Sequence, residues 1–279
     1  MNFFHIIHRS IFEPEFYKDT VVSANKKFVA GYVLKLLIFS ALIISAAQLY
    51  YLFDEQRGLA SPMEAAFHGM EIIDGKLDPG VQTPYILPNY LIFPVLQNAF
   101  GIENAFATDS DSMFIVDTAS QIQYSLKVPV ILMKKDEIVF LFNSMMSFPA
   151  KYSDLLGGEK DFKFDKESIN SFLRKNRLGL LQLFFFKNFT TNFFTLIFSI
   201  ILLGGAAFIF RVEKRFVFTM YLKTAVFAVT PILVGNILIA LSGVQLAWPW
   251  HVLIFISTVV MFRALVAMGT SSEKPNEVL

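Results

Sequence analysis

Residues 216–241 read FVFTMYLKTAVFAVTPILVGNILIAL. A helix needs about 20 mainly apolar residues to cross the hydrocarbon core of a bilayer. This stretch is long and apolar enough, so the chain reads as a membrane protein. Working outward, residues 28–53, 184–210 and 246–268 meet the same requirement. Four transmembrane helices are therefore expected, with RVEKRF and LSGVQLAWPW as the short turns that fold the last three into an antiparallel array. Composition agrees. The chain is 54% hydrophobic and only 17% charged, against about a quarter charged in soluble domains.

The longest interval between spans, residues 54–179, is expected to form an extracytoplasmic domain. It holds 17 Asp/Glu against 12 Lys/Arg, although the whole chain carries a formal net charge of only +1. Basic residues concentrate at cytoplasmic helix ends. Placing both termini inside puts 11 Lys/Arg near inner ends and 5 near outer ends. Lys35 and Arg263 then lie close enough to the inner surface for their stems to carry the charge to the headgroups. Tyr50, Tyr51, Trp248 and Trp250 fall at the outer boundary, where amphipathic rings prefer to sit. The first apolar run begins after residue 27 and is too long for the core of a cleaved signal peptide, so it should stay as an anchor. The expected location is the cell (inner) membrane, multi-pass, with residues 269–279 as a cytoplasmic tail. The N-terminal segment 1–27 includes NFFHIIHRSIF, whose Phe3, Phe4, Ile7 and Ile11 recur at helical spacing. That pattern fits a helix lying flat on the inner leaflet and fits equally a helix packed on the spans.

Within 54–179 the pattern is mainly that of strands, which makes the domain a β-rich α+β unit. EIIDGKL places Asp74-Gly75 between apolar positions, a strong hairpin signal. VPVILMKKDEIVFLF reads as two strands joined near Lys135 and Asp136. The three prolines of VQTPYILPNYLIFPV suit an edge or irregular segment. Ser61-Pro62 reads as a helix start. A further helix is expected over Lys166 to Asn176, with Asp165 as N-cap, Glu167 in its first turn and Arg174 and Lys175 in its last.

Candidate chemistry is sparse. FIVDTASQI presents Asp117-Thr118 at a strand end, as aspartic proteases present a catalytic carboxylate. Such an enzyme needs two carboxylates sharing a proton and a glycine in each loop. One motif is present here, and Ala119 and Ser120 follow it, so a turn is the simpler reading of Asp117. Asp109 and Asp111 are spaced like the start of a calcium loop, but the sixth and twelfth positions are Phe114 and Ser120 instead of Gly and Glu. A solvated loop accounts for them. His5, His8, His68 and His251 have no third ligand at metal-binding spacing. Thr230, Pro231 and Asn236 cluster in the third span. Pro231 should kink that helix, and Asn236 should hydrogen-bond to a neighbouring one. Gly204 and Gly205 mark close helix packing. Asn188 opens an Asn-Phe-Thr glycosylation sequence at a membrane boundary, where it is discounted. No phosphate loop, zinc motif, nucleophile elbow or nucleic-acid stripe is found. With zero cysteines there can be neither a disulfide nor a thiolate site.

Taken in order, SIFEPEFYKD before the first span, the IIDGKLD hairpin, FIVDTASQI followed by PVILMKKDEIVF, and the span YLKTAVFAVTPILVGNIL carry a resemblance. The chain resembles bacterial integral membrane proteins of the family called domain of unknown function 1189, some members of which are labelled maltodextrin-utilisation proteins. What the resemblance implies is a cell-membrane protein with an extracytoplasmic domain and no established chemistry. The expected role is a non-enzymatic accessory, scaffold or sensing subunit without cofactors. Its partners would be the lipid bilayer and another membrane or extracytoplasmic protein, with a homo-oligomer also compatible and nucleic acid not. The alternatives are a small transporter or channel component, and a membrane-anchored hydrolase using Asp117.

Overall fold

The computed structural model describes residues 2–54, 58–87, 114–119, 130–143, 146–243 and 249–270. It divides into two compact units, residues 1–47 with 182–279, and residues 48–181.

The first unit is helical. After α1 (Phe3–Phe12) and a π-helical turn (Tyr17–Val21) comes α2 (Lys26–Leu52). Four helices are long and apolar enough to cross a membrane: α2, Arg177–Ile209, Phe218–Ser242 and Pro249–Thr270. The second begins at Arg177, seven residues before the apolar run. Helix propagation tolerates the polar residues Gln182 and Lys187 once a nucleus exists. Phe218–Ser242 is the innermost, with 61% of its apolar window buried against 33–39% for the others. The remaining apolar faces, including Phe186, Phe194, Ile201, Ile209 and Phe255, are exposed. A soluble monomer rarely leaves so much contiguous apolar surface open.

Small residues let these helices approach. A Cβ added at Gly204 would sit 3.0 Å from the Leu222 side chain and 3.4 Å from its Cα, so the expected close packing holds at Gly204. At Gly205 an added Cβ meets nothing within 4 Å, and packing does not require that glycine. Gly235 is pressed against Leu253 in the same way as Gly204 against Leu222.

The N-terminal segment packs on the helices. Ile6, Ser10, Phe16, Tyr17 and Val21 are buried, and the Phe3 ring lies 6.2 Å from that of Tyr32 and 5.8 Å from that of Phe39. Of the two readings of its periodicity, the packed helix is the one observed.

The second unit is α+β. In chain order it contains α3 (Ala60–Ala66), β1 (Glu71–Ile73), β2 (Lys76–Asp78), β3 (Tyr85–Ile86), β4 (Phe114–Val116), β5 (Val130–Met133), β6 (Glu137–Asn143), β7 (Met146–Lys151), α4 (Tyr152–Leu155), β8 (Phe162–Lys163) and α5 (Lys166–Lys175). One sheet has the order β2-β1-β8 and the other β3-β4-β5-β6-β7. All pairs are antiparallel except β4 with β5. The Asp74-Gly75 hairpin is present. Both residues have positive φ, 51° and 74°, as a two-residue turn matched to strand twist requires. Helix α3 starts one residue before Ser61, and no side chain caps it.

The core of this unit joins Phe67, Met70, Ile72, Leu77, Val116 and Met133. Phe67 stacks on Phe164 at 5.0 Å. The Tyr152 hydroxyl donates to the Lys134 carbonyl at 2.6 Å. Burial, reinforced by Asp136 and Glu137, pushes its pKa well above the ordinary tyrosine value, so it stays a neutral donor.

Candidate functional site

In the second unit, β1, β8 and α5 enclose a surface cleft of about 620 Å³. The β1–β2 turn is locked first. The Asp74 N–H donates to Asp161 Oδ1 at 2.9 Å, and the Gly75 N–H donates to the Lys160 carbonyl at 2.7 Å. This lock fixes β1 beside β8, whose Phe162 pairs with Ile72. Helix α5 is then oriented by its cap, since Asp165 accepts from the Ser168 N–H at 2.7 Å. Phe162 and Phe172 meet edge to face at 5.9 Å in the cleft. Around them stand the carboxylates of Glu71, Glu159, Asp161 and Glu167 and the ammonium groups of Lys163 and Lys175. Both lysines are ion-paired, Lys163 to Glu71 at 3.2 Å and Lys175 to Glu159. The lining therefore carries two more carboxylates than ammonium groups. Chemically it offers charge-assisted acceptors over an aromatic surface. Sequence reasoning found the hairpin and the cap but not the cleft, because β8 pairs with β1 across 90 residues, Ile72 to Phe162.

The Asp165 cap makes a pH prediction. Hydrogen bonds from the Ser168 N–H and side chain, aided by Lys163, hold this carboxyl below its usual range. A depressed folded pKa means that the contribution is complete above the ordinary carboxylate value and is lost as pH falls through the lowered one. Amide exchange in the first turn of α5 should thus differ between wild type and Asp165→Ala at neutral pH and converge in acid. A difference that persists unchanged in acid would show that the cap does not act as a carboxylate.

Asp117 follows β4 and is 1% exposed. Its backbone N–H donates to the Met133 carbonyl at 2.9 Å, and the next residue, Thr118, shares a hydroxyl hydrogen bond with Thr83 at 2.9 Å. These contacts tie the strand end to its neighbours. Asp109, Asp111 and Trp248 lie outside the described residues. Among the described residues no group of three His, Asp or Glu side chains could hold a metal ion.

In the first unit, the third long helix is two helices, α7 (Phe218–Ala228) and α8 (Thr230–Ser242), preceded by α6 (Arg177–Ile209) and followed by α9 (Pro249–Thr270). Pro231 has no N–H to give the Phe227 carbonyl, so the helix ladder fails there. The Thr230 hydroxyl donates to that carbonyl instead, at 2.6 Å. The Tyr32 hydroxyl lies 2.7 Å from Thr230 Oγ1. With the threonine proton committed to Phe227, Tyr32 is the donor. Asn236 is half-buried, and no hydrogen bond to another helix is found for it among the described residues. Besides Tyr32–Thr230, helix-to-helix bonds are made by Asn188 to Ser45 at 2.9 Å and Asn192 to Ser40 at 3.1 Å. The sequence reading missed these pairs. The available signal was the i, i+4 spacing of the two asparagines, which puts both on one face of α6. Lys35 and Arg263 are exposed, and Trp250 packs beside Phe198 at 6.5 Å. Compared with known proteins, the chain matches no family model, no curated protein and no solved structure.

Proposed function

We propose that the protein is a non-enzymatic, multi-pass accessory or sensing subunit of the cell (inner) membrane. Both termini face the cytoplasm, and the unit formed by residues 48–181 binds a ligand or partner outside. The observation that carries this reading is the β1–β8–α5 cleft, a shaped and charged surface. Its surplus carboxylates over Phe162 and Phe172 suit a cationic segment of a partner, since carboxylates hold ammonium and guanidinium groups by charge-assisted hydrogen bonds. Helix α5 ends at Lys175 and α6 begins at Arg177. A ligand held against α5 therefore touches the segment that continues into a long apolar helix.

The test is to extract the tagged, full-length protein from its own membranes in mild detergent and weigh the intact complex by native mass spectrometry. A stoichiometric second protein, lost on Glu167→Arg, is the expected result. A bare monomer or a homo-oligomer alone would sink the reading.

One observation favours the transporter alternative. Discontinuous helices line the sites of many transporters, and α7–α8 is discontinuous. Flux in proteoliposomes that is lost on Pro231→Ala would establish it.

A further inference from the structure

We propose that residues 3–24 form a latch that sets the angle of a hinge at Val229, between α7 and α8. The hinge follows from chemistry already described. Pro231 breaks the ladder, Val229 ends α7 with ψ near −5°, and the Ile232 N–H reaches back only to the Val229 carbonyl, at 3.0 Å. Such an interruption is a place where a helix can bend.

The latch straddles that place. Helix α1 contacts both α7 and α8, and the π-helical turn after it contacts α7 and α9. Phe16, fully buried, sets its ring edge-on to Phe227 at 5.5 Å, and Phe227 is the residue whose carbonyl the break exposes. Phe3 lies against Tyr32, the donor that closes the break from α2. The latch is fastened to itself as well, because the Tyr17 hydroxyl donates to the Ser10 carbonyl at 2.6 Å. It therefore grips the hinge on both sides and through the side chain that seals it.

A second resting place for the segment exists. Phe4 and Phe12 are 58% and 62% exposed, and His8 and Lys18 are exposed too. An amphipathic segment of this kind gains by lying at a bilayer surface. A latch with two favourable seats can be displaced, and the hinge is then restrained by α9, which contacts both α7 and α8, and by the bonds of Tyr32 and Thr230.

The absence of cysteine in the chain allows spin labels at Leu42→Cys and Leu238→Cys, both exposed positions. Distances are read by double electron–electron resonance on the full-length protein in lipid nanodiscs. A swing of about 20° at Val229 would carry the label at Leu238, about 13 Å along the helix, by about 5 Å. Phe16→Ala should raise the ratio of displaced to latched distances by more than about tenfold, in line with loss of a buried ring. Tyr17→Phe keeps the ring packing and removes one hydrogen bond, so it should raise the ratio by about fivefold. A control pair at Leu42→Cys and Ile201→Cys, which does not report on α8, should stay unchanged. Wild-type distances in Tyr17→Phe would overturn the proposal, whether or not Phe16→Ala folds. Equal broadening in the control pair would overturn it too, because the whole bundle would then be loosening.

Discussion

Phe227→Ala is expected to cost about 3–5 kcal/mol of stability, the range for emptying a well-packed aromatic site. Phe227 has no exposed surface. Its ring stacks on Tyr32 at 4.8 Å and on Phe28 at 6.2 Å, and it receives the edge of Phe16 at 5.5 Å. Three chain segments thus share one ring: the N-terminal segment, α2 and α7. No neighbour can collapse into the gap without leaving a position that it holds elsewhere, since Tyr32 is tied to Thr230 and Phe16 precedes the buried Tyr17. Sites that cannot collapse lie at the upper end of the cavity range. Unfolding titrations in mixed micelles should show the loss, with Phe227→Leu costing distinctly less because most of the volume stays filled. A loss below about 1 kcal/mol in the alanine variant would mean that the ring cluster is not packed as described.

How far the sequence led depended on how local each signal was. The Asp74-Gly75 turn, the Asp165 cap and the β5–β6 hairpin are set by residues within a few positions of one another, and all three are present. The four apolar runs were equally legible, because a run of apolar residues declares itself without any partner. Periodicity alone could not seat the N-terminal helix. The same apolar stripe serves a lipid surface or a protein surface, and the deciding contacts, Phe3 with Phe39 and Phe16 with Phe227, join residues far apart in the chain. Pro231 announced a kink, but the way the kink is sealed depends on Tyr32, 198 positions before Thr230. Asn236 was singled out because it stood alone in an apolar run. Asn188 and Asn192, which bond α6 to α2, are obscured by the polar residues around them. The cleft is the extreme case, since neither its aromatic floor nor its charges lie on one element.

The sealed break makes a prediction of its own, argued from a single missing N–H. Thr230→Val keeps the volume and removes the hydroxyl, which leaves the Phe227 carbonyl without its side-chain donor and the Tyr32 hydroxyl without its acceptor. Thr230 and Phe227 have no exposed surface and Tyr32 almost none, so water cannot replace the lost bonds. Stranding buried polar groups costs about 1–3 kcal/mol. The cause lies one residue further on, at Pro231. Pro231→Ala returns an N–H to the position from which an α-helix serves the Phe227 carbonyl. The cost of Thr230→Val should therefore be smaller in the Pro231→Ala background, by about 1 kcal/mol in a double-mutant cycle of micellar unfolding free energies. The Tyr32→Phe change should behave differently. It removes a donor to Thr230 and not to Phe227, so its cost should shift less when Pro231 is replaced. Equal costs for Thr230→Val in the two backgrounds would show that Pro231 is not what frees the carbonyl. The break would then have to be attributed to the packing of Phe227 between Tyr32 and Phe16.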